Sequence, residues 1–412
     1  MAELSLAGQV RFTSSAQSAG LDGAGAPVRR LRQIVVLMGA LLLAACQTMV
    51  PKTAPPPAPP PPTAETTPDR GLPTDTARHR VALLVPLTGA NAQVGQSLAN
   101  ATTMALLDTK TERLRVTTYD TGTDAAGAAR KAVADGNKLI LGPLTAEEVR
   151  DVAPIARAAK IPVIGYSNDA SVAGNGVYLL GYAPDQSITR VISFASGKGA
   201  KNFAALVPKG LYGERAGSAF LNAVQAAGGT AVGLETFDRS TESVNTAVKR
   251  LATRSSYDAL LIADVARVAL QIAPQVRGSE GGANARILGT ELWNTETALN
   301  TNAALRGAWF ASVSDGLYRT LASKYRASYN ATPYRLASLG YDSVLLAVRI
   351  AQDWQPGSDF PAARLTDAGG FAGIDGAFRF GRDGIAQRAL EVQEVAAEAV
   401  NVIDAAPRGF DK

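Results

Sequence analysis

From residue 80 onward, short apolar runs alternate with amphipathic stretches. "RVALLVPL" (80–87), "LRVTTYD" (114–120), "KLILG" (138–142) and "IPVIGY" (161–166) are bounded by turn residues and read as strands. The segments 93–108, 123–134 and 145–160 between them carry apolar residues at helical spacing. In "LILGPLTAEE" (139–148) a buried strand hands over to Thr145 and Glu148, the threonine–glutamate spacing of a capping box. "GVYLLG" (176–181) adds a shorter strand at a crossover. Runs that are apolar throughout belong to strands covered on both faces, which is the condition of a parallel sheet flanked by helices.

The alternation then starts again. Helix 184–196 leads to strand 201–208, and helix 214–227 to strand 230–237. Helix 243–254, strand 257–264, helix 265–277 and strand 285–289 complete a second parallel α/β set. The tail departs from this order, with a strand near "GAWFAS" (307–312) and helices over 316–329 and 333–352. "GAFRFGRDG" and "LEVQEVAAEAV" read as antiparallel strands joined across Gly381–Gly384. The pattern predicts an α/β protein of two lobes. The first comprises 80–182 with a returning segment 310–365, the second 183–309 with 366–404, and 405–412 forms a tail.

The front of the chain has a different character. "RRLRQIVVLMGALLLAACQ" has a basic start, an apolar run and small residues before Cys46, as a secretory signal does. Leu43-Ala44-Ala45-Cys46 looks like a bacterial lipobox, so residues 1–46 read as a signal peptide whose Cys46 is acylated. Residues 1–27 have no pattern of their own, which makes a translation start near Val28 an expectation. Gln47 follows the cysteine in place of the aspartate associated with inner-membrane retention, so the expected address is the periplasmic face of the outer membrane. The proline-rich segment 47–79 cannot pack a core and reads as a semi-extended tether.

Charge changes the picture little. The chain has 41 basic and 36 acidic side chains. Residues 1–46 hold four of the arginines and two of the acids, which leaves 37 against 34. No lysine or arginine run interleaved with aromatics follows a phosphate backbone, so nucleic acid is not an expected partner. Enzyme chemistry finds no foothold either. His79 is the only histidine and has no second histidine or cysteine to share a metal with. No serine stands in a G-x-S-x-G elbow, and the glycines of 122–127 lack dinucleotide spacing. Neither a metal nor a cofactor is expected.

"VALLVPLTGANAQVGQSLANATTMAL", "LGPLTAEEV", "IPVIGYSND", the Tyr212-Gly213 turn, "RLASLGYDSVLLA" and "GAFRFGRDG" together resemble the type I periplasmic binding proteins, the branched-chain amino-acid-binding kind. The likeness covers 80–404 and implies two lobes, joined by three crossing segments, that close on a ligand. "LGTELWNT", "LRGAWFAS" and "YRASYNATPYRLASLGYDSVLLA" are similar to the bacterial penicillin-binding-protein activator lipoproteins. That branch implies docking on a cell-wall synthase from the outer membrane, although the large helical front domain of the enteric members is missing here.

The resemblance also implies cleft residues. Thr145, Ser167 and Asn168 match the side that holds a ligand carboxylate, and Tyr212 matches the second-lobe tyrosine. Glu291 stands where transport relatives meet the ligand amine, and Asp264 faces the same crevice. Open α/β sheets bind ligands beyond the carboxyl ends of their strands, which agrees with these positions. Each has a plainer role: Thr145 as a helix cap, "YSND" as a turn, Tyr212 as hinge packing. Trp293 and Trp309 form either a docking platform or packing at the lobe junction, with packing favoured. Two functions follow as expectations. One is a binding-protein fold that regulates a peptidoglycan synthase or another envelope protein by contact. The other is the receptor of an amino-acid or amide importer.

Overall fold

The computed structural model describes residues 77–253, 256–294, 296 and 298–410. The signal peptide, Cys46 and the proline-rich tether to residue 76 lie outside the described residues.

Strand β1 (His79–Val85) is the organiser of the first lobe. It pairs in parallel with β2 (Leu114–Asp120) on one side and β3 (Leu139–Leu141) on the other. β4 (Val163–Gly165) and β5 (Val177–Leu179) extend the sheet, giving the order β2-β1-β3-β4-β5. Successive β1 side chains alternate between two cores. Val81, Leu83 and Val85 meet the apolar faces of α1 (Ala92–Thr109) and the later helices α8 (Gly316–Tyr329) and α9 (Ala337–Ala351). Ala82 and Leu84 meet α2 (Ala125–Ala134) and α3 (Ala146–Ala158). Burial on both faces explains the unbroken apolar run of this strand.

The second sheet has the order β15-β14-β10-β9-β8-β6-β7. Its parallel part is β6 (Asn202–Pro208), β7 (Thr230–Phe237), β8 (Ala259–Ile262), β9 (Arg286–Gly289) and β10 (Trp309–Ser312). Two antiparallel strands, β14 (Glu391–Val395) and β15 (Val400–Asp404), finish its edge. One face packs on α4 (Pro184–Gly197) and α5 (Leu211–Ala226), the other on α6 (Thr241–Ala252) and α7 (Ala266–Arg277).

Three features differ from the sequence expectation. The strand at 310 belongs to the second sheet, because Trp309 and Phe310 register with Leu288 and Gly289 of β9. The first lobe's returning segment therefore starts after β10. Residues 371–388, expected in the second lobe, form a small antiparallel sheet, β11 (Phe371–Gly373), β12 (Gly376–Phe380) and β13 (Ala386–Arg388). Phe378, Phe380 and Ala386 of that sheet are buried in the first lobe's core. Finally, the hairpin across Gly381–Gly384 pairs β12 with β13, whereas 391–395 pairs with β10 and β15.

The chain passes between the lobes three times: from β5 to α4, from β10 to α8, and from β13 to β14. These passages are tied together by a buried polar knot. The Asp375 carboxylate, fully buried, accepts from Tyr182 Oη at 2.5 Å and Ser338 Oγ at 2.8 Å. Arg335 Nη1 lies 2.8 Å away and Arg388 Nη1 3.8 Å away. Arg388 also donates to the Leu180 carbonyl at 2.5 Å, and Arg335 lies 3.5 Å from Asp315. Tyr182, Asp315 and Arg388 come from the three crossings: Tyr182 and Arg388 meet Asp375 directly, and Asp315 joins through Arg335.

Candidate functional site

Helix α5 begins at Leu211, which places Tyr212 in its first turn and not in a free turn before it. Gly213 makes that start possible. A Cβ there would lie 1.6 Å from the Pro208 carbonyl oxygen, so only glycine lets the helix begin tight against the end of β6. Tyr212 is thereby aimed at the end of β9. Its hydroxyl lies 3.2 Å from Thr290 Oγ1 and donates to Glu291 Oε1 at 3.2 Å. The other Glu291 oxygen accepts a short hydrogen bond from Ser187 Oγ of α4.

The acid expected to meet a ligand amine is thus engaged at both oxygens by its own lobe. Burial raises the Glu291 carboxyl above its ordinary value, while Ser187, its own backbone amide and Tyr212 pull it back. Tyr212 is itself pushed well above the usual phenol range, first by burial and then by the Glu291 charge, so it stays a proton donor. Asp264 is also occupied. It is fully buried, receives Arg239 Nε at 2.8 Å and Nη2 at 3.0 Å, and accepts from the Val265 amide at 2.7 Å. A two-toothed arginine of this kind is a strong carboxylate partner.

Across the cleft, Thr145 caps α3. Its Oγ1 accepts from the Glu148 amide at 3.2 Å and donates to Glu148 Oε2 at 3.0 Å. The same Oε2 accepts from the Thr145 amide at 2.8 Å, which completes the capping box read from the sequence. Ser167 is buried and its Oγ accepts from the Asp169 amide at 3.1 Å, so it shapes the turn. Asn168 is exposed and lines a cavity of about 370 Å³ with Asp185, Arg215 and residues of α5.

The structure therefore brings Tyr212 and Glu291 together, sets Asp264 apart with Arg239, and gives Thr145 and Ser167 to local structure. It also adds residues the sequence reading missed. Asp169, buried in the loop after β4, forms an ion pair with Arg215 of α5 at 2.5 Å, and Arg150 of α3 lies 3.1 Å from its other oxygen. This pair joins the two lobes directly. Burial opposes the Asp169 charge, but Arg215 and Ser171 more than offset it and hold the carboxyl at about 2. One signal was available: an arginine near a helix N-terminus works against the helix dipole and calls for an acidic partner.

The tryptophans divide. Trp293 is fully buried, donates Nε1 to the Asp264 carbonyl at 3.0 Å and packs in the second lobe's core. A Cβ on Gly289 would lie 2.3 Å from its ring, so the glycine makes room for it. Trp309 is half-buried under Arg286, whose guanidinium carbon is 4.2 Å from the ring centre, and donates to Glu394 at 2.8 Å. Both are packing residues. His79 stacks on Trp354 with ring centres 3.8 Å apart. Among the described residues no group of three histidine, cysteine, aspartate or glutamate side chains is placed to hold a metal ion.

Known proteins give this architecture a family. The sequence profile described as periplasmic binding protein matches residues 79–399. A curated protein of Rickettsia prowazekii, itself uncharacterised, is 29% identical over 178 residues, 42% of this chain and 47% of that one. The match thus spans about half the length of that curated relative. A putative branched-chain amino acid ABC transporter protein from Rhodospirillum rubrum superposes with a TM-score of 0.67 at 20% identity, over 79% of this chain and 100% of that one. Full-length LpoA from Haemophilus influenzae gives 0.63 at 17% identity, over 79% and 59%. LivJ from Streptococcus pneumoniae, solved with isoleucine, gives 0.58 at 19% identity, over 79% and 99%. Likeness at these identities speaks for the fold, and the profile match across most of the chain speaks for the family. This chain belongs to the periplasmic binding protein family.

Proposed function

We propose that this chain is a non-enzymatic envelope lipoprotein that regulates a peptidoglycan synthase by protein–protein contact. The observation that carries the reading is the Glu291 carboxylate, whose two oxygens are taken by Ser187 and Tyr212. A receptor for amino acids needs that acid available to the ligand ammonium. Here a ligand would have to displace two internal hydrogen bonds before gaining its own, which removes much of the advantage of a charged partner. The Asp169–Arg215 pair supports the same reading, since the chain's own side chains tie the two lobes across the cleft.

The lipobox at Cys46, with Gln47 after it, favours tethering to the outer membrane, the side from which a permease of the inner membrane is out of reach. The structural likeness to LpoA, which the sequence motifs anticipated at family level, is consistent with this assignment.

A second reading has one specific observation in its favour. Tyr212 and Glu291 stand side by side, as the resemblance to branched-chain amino-acid receptors implies. Under that reading the chain serves an importer of amino acids or simple amides.

Crosslinking in intact cells followed by affinity purification separates the two. Recovery of a penicillin-binding protein of the polymerising class supports regulation. Recovery of an inner-membrane permease with its ATPase supports transport. A chain beginning at residue 79 serves as the control without anchor or tether.

A further inference from the structure

Residues 405–410, expected only as a tail, cross back from the second lobe to the first. β15 belongs to the second lobe's sheet and ends at Asp404, whose carboxylate lies 2.9 Å from Arg190 of α4 in the same lobe. Arg190 is held in turn by the Leu390 carbonyl, which accepts from its Nε at 3.1 Å. The base of the tail is therefore fixed to the second lobe. Its far end, Phe410, lies against the small sheet of the first lobe. The guanidinium carbon of Arg379 in β12 is 4.6 Å from the Phe410 ring centre, and Arg379 Nε donates to Gln387 Oε1 of β13 at 3.0 Å. Gly370 leaves room for the ring, since a Cβ there would stand 3.2 Å from Phe410 Cδ2.

This passage runs beside the three crossings but is held differently. The crossings are joined through the buried carboxylate of Asp375. The end of the tail is held by one half-buried ring, one guanidinium and the space left by a glycine. Between the two ends, Pro407, Arg408 and Gly409 are exposed. Pro407, Gly409 and Phe410 line a cavity of about 710 Å³ between α4 and the β12–β13 hairpin, so the tail bridges a hollow. Pro407 fixes one backbone angle of the bridge, which limits its slack. A contact as small as the one at Phe410 can break while both lobes stay folded.

We propose that residues 405–410 are a strap that restrains the angle between the lobes, with Phe410 as its clip on the first lobe. The clip is made in this lobe arrangement and therefore favours it over any in which β12 moves away from α4. With the clip released, the three crossings alone set the angle, as the few residues of a hinge do. The ring returns to its seat because its apolar surface leaves water only there. The strap rests on the contacts of the tail and stands under either functional reading.

The test uses the whole chain. Spin labels on non-canonical side chains at Leu107 of α1 and Leu221 of α5, both exposed and in different lobes, leave Cys46 untouched and report the lobe distance. Wild type is expected to give one dominant distance by double electron–electron resonance. Phe410→Ala should shift weight from that distance to others, lowering its population ratio roughly two- to fivefold. Removal of 405–412 should give the same change, and Phe410→Trp, which keeps a ring for Arg379, should retain the wild-type distribution. Arg379→Ala should match Phe410→Ala, and the double variant should go no further, because both substitutions break one contact. Thermal unfolding of each variant shows whether it is folded. A wild-type distance distribution in both Phe410→Ala and the truncated chain would overturn the strap, and a lowered melting temperature with unchanged distances would make Phe410 a packing residue only. A change in the truncated chain alone would overturn Phe410 as the clip.

Discussion

Asp169 of the first lobe and Arg215 of the second are joined by a 2.5 Å ion pair that spans the cleft. The carboxylate is almost entirely buried, and Arg150 shares it from the first lobe's side. Removing Arg215 leaves a buried anion with one partner in place of two. Arg215→Ala should cost about 1–3 kcal/mol in urea unfolding, and solution scattering should show a larger mean lobe separation. Because the Asp169 carboxyl is depressed to about 2, its contribution to stability is complete above the ordinary aspartate value and is lost as pH falls towards 2. Asp169→Asn should flatten that acid limb. An unchanged limb would mean that the pair adds nothing.

The knot at the crossings predicts a larger effect. Asp375 is the anion for Arg335 and Arg388, both withdrawn from solvent. Asp375→Asn costs Arg388 its ion pair and leaves Arg335 with Asp315 alone, and the loss should reach about 3–5 kcal/mol. A denaturant midpoint close to wild type would contradict this.

The neighbouring Asp342 offers a second measurement on the same knot. Burial, and then the Asp375 charge, push its carboxyl up to about 7. A raised carboxyl favours the folded state when neutral, so this contribution is complete below the ordinary aspartate value and lost as pH rises through about 7. Asp342→Asn should remove that slope from the stability curve. The slope persisting in the variant would assign it to another group.

His79 reports on the point where the globular part begins. Burial, aided by Arg113, lowers its pKa below the ordinary imidazole value, against a hydrogen bond with the Trp354 backbone. The folded state thus prefers neutral His79. Its contribution is present above the ordinary value near 6.5 and is lost as pH falls through the lower folded value. His79→Phe keeps a ring against Trp354 and should give a melting temperature that no longer drops across this window. Thermal scans at a series of pH values read it directly.

Much of the fold was legible because local chemistry agreed with global packing. The apolar runs of β1 and β6 announce strands covered on both faces, and Thr145 with Glu148 announces a helix start that the structure contains. The allocation of 371–388 was not legible. Phe378 and Phe380 alternate as in any half-buried strand, and alternation says that a face is covered without saying by which lobe. The site divided along the same line. Tyr212 and Glu291 meet because each stands next to a strand end that topology brings together. Ser187, Asp169 and Arg215 act through contacts between distant segments, and the knot joins residues 182, 315, 335, 375 and 388, a grouping no local pattern signals.

The cleft's carboxylates Glu291, Asp264 and Asp169 are satisfied by the protein itself. Isothermal titration calorimetry of the chain from residue 79 against the twenty amino acids and simple amides tests this most directly. No binding tighter than millimolar is expected, with Glu291→Gln leaving both that result and the synthase interaction unchanged. A micromolar ligand that loses at least roughly tenfold in affinity on Glu291→Gln, about 1.4 kcal/mol, would contradict it and make the chain a solute receptor.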